Sequence, residues 1–315
     1  MRTGSSDRYK WVALSNTTLG TLMATLDGSI VIIAMPAIFR GIHLDPLAAG
    51  NIVYLLWLVL GYLLVSAVLV VSLGRLGDIF GRVRMYNLGF LVFSLASLAL
   101  SLDPFTGHAG ALWLILLRVP QAAGGAMLTA NSAAILTDAF PLEQRGMALG
   151  INQIAGLAGQ FLGLLAGGLL AVVDWRAVFW VNVPIGVLGT IWSYRSLRDT
   201  SARRPARIDW AGNVTFTLGL GVLLAAITHG IQPYGAHATG WRNPVVLGGL
   251  ALGVALLIAF VLIETQVRAP MFALALALFR VRAFAAASVA ALLVAVARGG
   301  LQFMLIIWLQ GIWLP

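Results

Sequence analysis

The stretch TLMATLDGSIVIIAMP, Thr21–Pro36, decides how this chain is read. It is apolar enough to be the second half of a membrane-spanning helix. Yet it carries a carboxylate, Asp27, among Ala24, Leu26, Ile30 and Val31. A charge held in hydrocarbon is costly unless it has a partner, water or a proton. The rest of the chain must therefore supply one of these.

Composition supports the membrane reading. The chain is 60% hydrophobic with a mean hydropathy of +0.94, and only 10% of its residues are charged, against about 25% in a soluble domain. Apolar runs of about 20 residues, enough to cross the hydrocarbon core, recur along the whole length and leave no room for a soluble domain. The net charge of +9 does not signal nucleic acid. The basic residues sit in short loops between apolar runs, and no basic patch alternates with aromatics. Zero cysteines exclude disulfides and thiol-based sites. The first apolar run, preceded by Arg8 and Lys10, is too long for a signal-peptide core and has no small-residue cleavage site after it. It is read as a retained span.

Nine spans are expected: Trp11–Met35, Ile52–Leu73, Met85–Leu102, Gly110–Leu136, Gly146–Val173, Val178–Tyr194, Trp210–Thr228, Pro244–Ile263 and Phe284–Trp308. They must be helices, because every backbone polar group has to be satisfied inside the bilayer. With a cytoplasmic N-terminus, the outer segments hold only Arg40, Arg176 and Arg242 of the 20 basic residues. Arg118 and Arg298 fall within spans, and the inner segments hold all the others, as the positive-inside rule requires. The polar stretch RSLRDTSARRPARID, Arg195–Asp209, separates six spans from three. Residues 1–195 are expected to form a six-helix bundle and 196–209 a basic cytoplasmic linker. Residues 210–264 read as a further helix pair and 265–315 as the first helix of a second bundle. The chain stops at GIWLP, directly after the ninth span, in the manner of an interrupted chain.

Four motifs sit on these spans. The first is GRLGDIFGRVR between spans 2 and 3. Gly74 and Gly81 allow a reversal there, and Asp78, Arg82 and Arg84 bring charge to the cytoplasmic face. The second is LRVPQAAGGAMLTANSA on span 4. Gln121, Gly125, Thr129 and Ser132 follow Arg118 along one helical face, so Arg118 either faces a polar cavity or snorkels to the outer interface. The third is GQFLGLLAGG on span 5. Gly159, Gly163 and Gly167 recur every four residues, with Gly168 beside the last, which gives a smooth strip for close helix packing. The fourth is WRAVFWVNVPIG, Trp175–Gly186, whose Trp175 and Trp180 fit an interfacial aromatic belt.

The spacing G-x-L-x-D-x-x-G-R-x-R resembles the signature loop of the major facilitator superfamily of transporters. R-x-x-Q-x-x-G-G-A resembles the span-4 motif of its proton-coupled members, and the glycine strip is similar to its antiporter motif. W-R-x-x-F-x-x-N-x-P-x-G and L-D-G-S-I-V-I-I-A-M-P resemble motifs of its fourteen-helix drug/proton antiporter branch. Ile79, Ala122, Leu164 and Ser29 stand where the patterns have a basic residue, Gly, Pro and Thr. The resemblance implies an all-α helical bundle and proton-coupled export of small organic molecules by alternating access, with five more helices completing the second bundle. It also implies that Asp78 joins a cytoplasmic charge network and that Arg118 is linked to proton transfer.

Depth agrees with that implication. At about 1.5 Å per residue, Asp27 lies roughly 24 Å from the cytoplasmic edge, Arg118 about 18 Å and Arg298 about 21 Å in a core of about 30 Å. Gly20, Ala24, Asp27 and Gly28 share one face of span 1, so Asp27 is expected to look into the bundle, close to Arg118. Burial disfavours a charged carboxyl and a guanidinium favours it, so small movements would load and unload a proton. A cationic substrate is expected to compete for the same carboxylate. Gln121, Thr129 and Arg298 are expected at a substrate cavity, unless Arg298 pairs with a backbone carbonyl beside Gly299 and Gly300. The expected partners are a small-molecule substrate, protons and the lipid bilayer. The complete protein is expected to be a monomer in the inner (plasma) membrane, driven by a proton gradient with no cofactor. An alternative is proton-coupled transport of a metabolite or lipid-like molecule, or a truncated, non-transporting subunit. An enzyme is not expected: the sequence pairs no nucleophile with a base and forms no metal-ligand cluster.

Overall fold

The computed structural model describes residues 3–45, 48, 50–199, 210–232, 234, 239–266 and 279–308. The described chain is all-α, and nine of its helical segments are long and apolar enough to cross a membrane. Helices α1 (Thr3–Gly41), α2 (Ile52–Phe80), α3 (Arg82–Ser101), α4 (Gly107–Ala139) and α5 (Arg145–Val173) alternate in direction. The sixth span is built from two pieces, α6 (Ala177–Trp180) and α7 (Asn182–Ser196). Helices α8 (Trp210–Gly230), α9 (Pro244–Gln266) and α10 (Arg282–Trp308) follow.

The helices overrun the expected spans at several ends. Apolar runs mark the hydrocarbon core, but the backbone stays helical beyond it. The largest difference is at the signature segment, where the expected loop is absent. Gly74 and Asp78 are helical residues of α2, Arg82 and Arg84 are helical residues of α3, and Gly81 alone breaks the helix. Gly81 has φ +107°, which side chains rarely adopt. A Cβ there would also collide with the Asp199 carboxylate.

Helix α1 is the centre of the bundle and packs along α5, α4 and α7. The α1–α5 contact follows from the glycine strip. A Cβ on Gly159, Gly163 or Gly167 would come under 3.0 Å from the carbonyl oxygens of Leu22, Leu26 and Ile30 in turn. The two helices therefore run parallel with their backbones nearly touching. Gly168 is exposed and meets nothing within 4 Å, so it takes no part in this packing. The α3–α4 contact uses Gly89 and Gly124, each against the other helix's backbone. The α3–α7 contact uses Gly186 against Ser94 and Gly189 against Phe90. Helices α8 and α9 form a hairpin that pairs with itself and leans on α2, where Ser72 bonds Asn213. Hydroxyls inside the spans are satisfied locally: Thr17, Thr25, Ser29, Ser94, Ser97 and Thr129 each donate to the carbonyl one turn back.

Candidate functional site

Asp27 is completely buried and is held by three donors. Arg118 Nη1 donates to its Oδ2 at 2.6 Å. Gln121 Nε2 and Asn182 Nδ2 donate to its Oδ1 at 2.9 and 2.7 Å. All three contacts come from N–H groups, which is the environment of an ionised carboxylate. Gln121 is itself locked. Its Oε1 accepts from Arg118 Nη1 at 2.8 Å, and its Nε2 also donates to Ser97 Oγ at 2.8 Å.

Arg118 is 1% exposed. Besides Asp27 and Gln121, it reaches the Leu58 carbonyl through Nε at 3.4 Å, and its guanidinium lies 4.1 Å from the centre of the Tyr62 ring. It therefore does not snorkel. Five helices contribute to the cluster: α1 with Asp27, α2 with Tyr62, α3 with Ser97, α4 with Arg118 and Gln121, and α7 with Asn182. Pro120 lies inside α4 between the two α4 members. Having no N–H, it leaves the Leu116 carbonyl without its helical donor and loosens the helix at that turn.

The delivery of Asn182 begins in the outer turn. Asp174 Oδ1 accepts from the Arg176 backbone N–H at 2.9 Å and shapes the reversal after α5. Trp175 packs against Gly41 of α1, and Arg176 stacks on Trp175 and donates to the Asp103 carbonyl at 3.0 Å. Val178 and Phe179 are fully buried. With this end anchored, α7 starts at Asn182 and runs antiparallel to α1, so Asp27 meets Asn182 and Met23 meets Gly186.

A cavity of about 660 Å³ lies beside the cluster. Its walls come from α1, α2, α4 and α5, with Ala295 and Gly299 of α10. The polar lining is Thr25, Ser29, Tyr62, Ser66, Thr129 and Gln160, together with Arg118. No carboxylate lines it among the described residues. Ala24 and Gly28 border the cavity, Gly20 packs against Tyr86, and Asp27 turns to α4 and α7. The shared small-residue face of span 1 is thus divided among three neighbours. Two expectations change accordingly. Asp27 lies behind Arg118 and does not line the cavity, where a cation was expected to compete for the carboxylate directly. Gln121 belongs to the buried network and not to the cavity wall, whereas Thr129 does line the wall. The Arg298 side chain lies outside the described residues.

At the cytoplasmic end, Arg82 bonds Asp78 through Nε at 2.9 Å and Nη2 at 2.8 Å, and Asp138 through Nη1 at 2.7 Å. Its Nη1 also donates to the Ala134 carbonyl at 3.1 Å. The ends of α2, α3 and α4 are thereby tied together. Gly77 lies against Asn131 of α4, Gly74 is in ordinary contact with Ala130, and Arg84 is exposed. Tyr9 donates to the Arg198 carbonyl at 2.9 Å, which fastens the end of the bundle to α1.

Reading the sequence assigned no role to Asn182, Ser97 or Tyr62. Asn182 carried a signal, as a carboxamide inside an apolar span. Ser97 is one of several serines in its run and carried none. Tyr62 was hidden among apolar neighbours.

A membrane transport bundle is what this arrangement defines, and the chain belongs to the Major Facilitator Superfamily, whose family profile residues 17–212 match. It is a multi-pass integral membrane protein of the cell membrane, and its family consists of transporters, not enzymes. It is similar to the puromycin resistance protein pur8 of Streptomyces alboniger, 32% identical over 278 residues, covering 88% of this chain and 52% of that protein. It is also similar to the tetracenomycin C resistance and export protein of Streptomyces glaucescens, 32% identical over 304 residues, covering 96% and 53%. A third relative is the riboflavin transporter RibZ of Clostridioides difficile, 34% identical over 182 residues, covering 58% and 38%. The chain spans about half the length of the curated relatives it matches.

Proposed function

We propose that this chain is part of a fourteen-helix, proton-coupled exporter of small organic or drug-like molecules. Residues 1–195 are its N-terminal bundle, 196–209 the linker, 210–264 the inserted pair and 265–315 the opening of the second bundle. Two relatives named for resistance support the export reading. The observation that carries the coupling is the double membership of Arg118, which pairs with buried Asp27 and also forms the cavity wall.

The coupling follows from charge. With Asp27 ionised, the Asp27–Arg118 pair is neutral and the wall accepts a cation. When Asp27 binds a proton, the guanidinium loses its counter-charge and repels a cation beside it. Proton and cationic ligand then exclude each other through Arg118, without sharing an atom, and that exclusion is what antiport requires. Two bundles rocking about the cavity would carry the site from one face to the other.

A second reading is transport of a metabolite, favoured by the riboflavin transporter among the relatives. Under it, the uncompensated Arg118 attracts an anionic group, so substrate and proton bind together.

The test uses the complete protein in proteoliposomes with an imposed pH gradient and a panel of cationic, neutral and anionic compounds. Cations moving against protons are expected, and Asp27→Asn, which leaves Arg118 without its counter-charge as protonation does, should abolish uphill movement and weaken cation exchange at equal pH. Uphill transport by Asp27→Asn would sink the reading. Anions moving with protons would select the second one.

A further inference from the structure

Asn182 and Gln121 both present a carboxamide to Asp27, but their freedom differs. Gln121 is fixed at both ends, with its Oε1 on Arg118 and its Nε2 on Asp27 and Ser97. Turning it over would set an NH₂ group against a guanidinium, donor against donor. Asn182 is fixed at one end only. Its Nδ2 donates to Asp27, while its Oδ1 is buried with no hydrogen-bond partner among the described residues.

Protonation changes what Asp27 needs. An ionised carboxylate only accepts, whereas a carboxylic acid has one O–H that must donate. Arg118 has no acceptor, and the Gln121 acceptor is occupied. Ser97 Oγ lies on Gln121 Nε2 and itself donates to the Phe93 carbonyl. The unoccupied acceptor beside the carboxyl is Asn182 Oδ1. A half-turn about the last side-chain torsion of Asn182, which is soft and roughly two-fold, exchanges Nδ2 for Oδ1. Each orientation leaves one end of the amide unpaired, so the turn by itself favours neither state.

We propose that Asn182 is a positioning residue of the proton site, whose carboxamide turns over with Asp27 protonation. It donates to the carboxylate and accepts from the acid, so that the O–H of the protonated Asp27 finds an acceptor while Gln121 stays in place. The inference rests on the proton-coupling reading above. The titratable groups facing Asp27 are Arg118 from α4 and Tyr62 from α2; α3, α5 and α7 contribute none among the described residues. The added proton comes from water and stays on Asp27 until release, so Asn182 exchanges none.

Acid-induced infrared difference spectroscopy of the complete protein in lipid tests this. In the wild type, a carboxylic C=O band that Asp27→Asn removes should appear on acidification, at the lowered wavenumber of an acid that donates a hydrogen bond. Asn182→Leu should move this band to higher wavenumber and slow gradient-driven uptake about tenfold, the order of one hydrogen bond to a charged group. Asn182→Ser, whose hydroxyl both donates and accepts, should keep the lowered band and most of the uptake. A measurement on the native side chain covers the case in which Asn182→Leu does not fold. With carbonyl-labelled asparagine, an amide band should shift on acidification in the wild type and stay still in Asp27→Asn. If no Asp27-dependent carboxyl band appears, the proton-coupling reading falls and this inference with it. If that band appears but ignores Asn182→Leu, or the labelled amide does not respond, the coupling reading stands and the role of Asn182 is overturned.

Discussion

Arg118 and Arg82 both bind aspartates at close range, in opposite surroundings. The Arg118–Asp27 pair has side chains 2% and 0% exposed and contacts from five helices. Arg82 is 23% exposed, and its partners Asp78 and Asp138 are 39% and 31% exposed. The first pair cannot lose a member without stranding a buried charge. The second can open into water at little cost, which suits a latch across the ends of α2, α3 and α4. The same pair of residue types thus serves as a buried switch in one region and a weak tie in the other, and solvent access makes the difference.

Breaking each pair measures that difference. Arg118→Leu is expected to destabilise the bundle by about 3–5 kcal/mol, the usual effect of stranding one member of a buried ion pair. The measurement is thermal unfolding in detergent. Adding Asp27→Asn to it should recover a large part of the loss, and simple additivity of the two would break the comparison. Packing supports the buried region, so Gly163→Val is expected to follow at about 1–3 kcal/mol, because its Cβ would strike the Leu26 carbonyl and the Ser29 hydroxyl. Gly168→Val should stay within about 0.5 kcal/mol. Equal losses at the two glycines would show that the strip is not what holds α1 to α5. Arg82→Gln should lose about 1 kcal/mol or less, and the loss should shrink in high salt.

Asp103, at the outer end of α3, is a third case and the smallest expected effect. It is buried, its Oδ2 has no hydrogen-bond partner among the described residues, and the Arg176 guanidinium bonds its backbone carbonyl instead of its carboxyl. Burial raises its carboxyl above the ordinary 3.8, against the smaller opposing effects of the Phe105 N–H and Arg176. Folding therefore favours the neutral acid. Stability should fall slightly as pH rises from 3.8 through the raised folded-state value, then level off. Asp103→Asn should remove that slope in a pH series of unfolding curves.

The comparison also separates what was legible in the sequence from what was not. The position of Arg118 inside a span, and its depth relative to Asp27, could be read from helical rise alone. The glycine strip of α5 was legible through its four-residue period. The signature segment was misread as a loop, because glycine and charge mark loops in soluble chains, whereas here a single positive-φ glycine turns the chain between two continuous helices. That Asp27 looks into the bundle towards Arg118 was legible from the small residues on its face; that it turns away from the cavity was not. Small residues lie on several sides of α1, and nothing local says which side borders a cavity.

The apolar runs were sufficient for the spans, because the bilayer imposes its rules on each segment separately, and the motifs on those spans carried the resemblance to the family. The meeting of Asp27 with Asn182, 155 residues away, was a matter for the tertiary structure. It depends on α7 lying antiparallel to α1 at glycine-limited distances, with its outer end anchored by Trp175 and Arg176. That geometry turns the carboxylate away from the cavity and leaves Arg118 as the charged group between them.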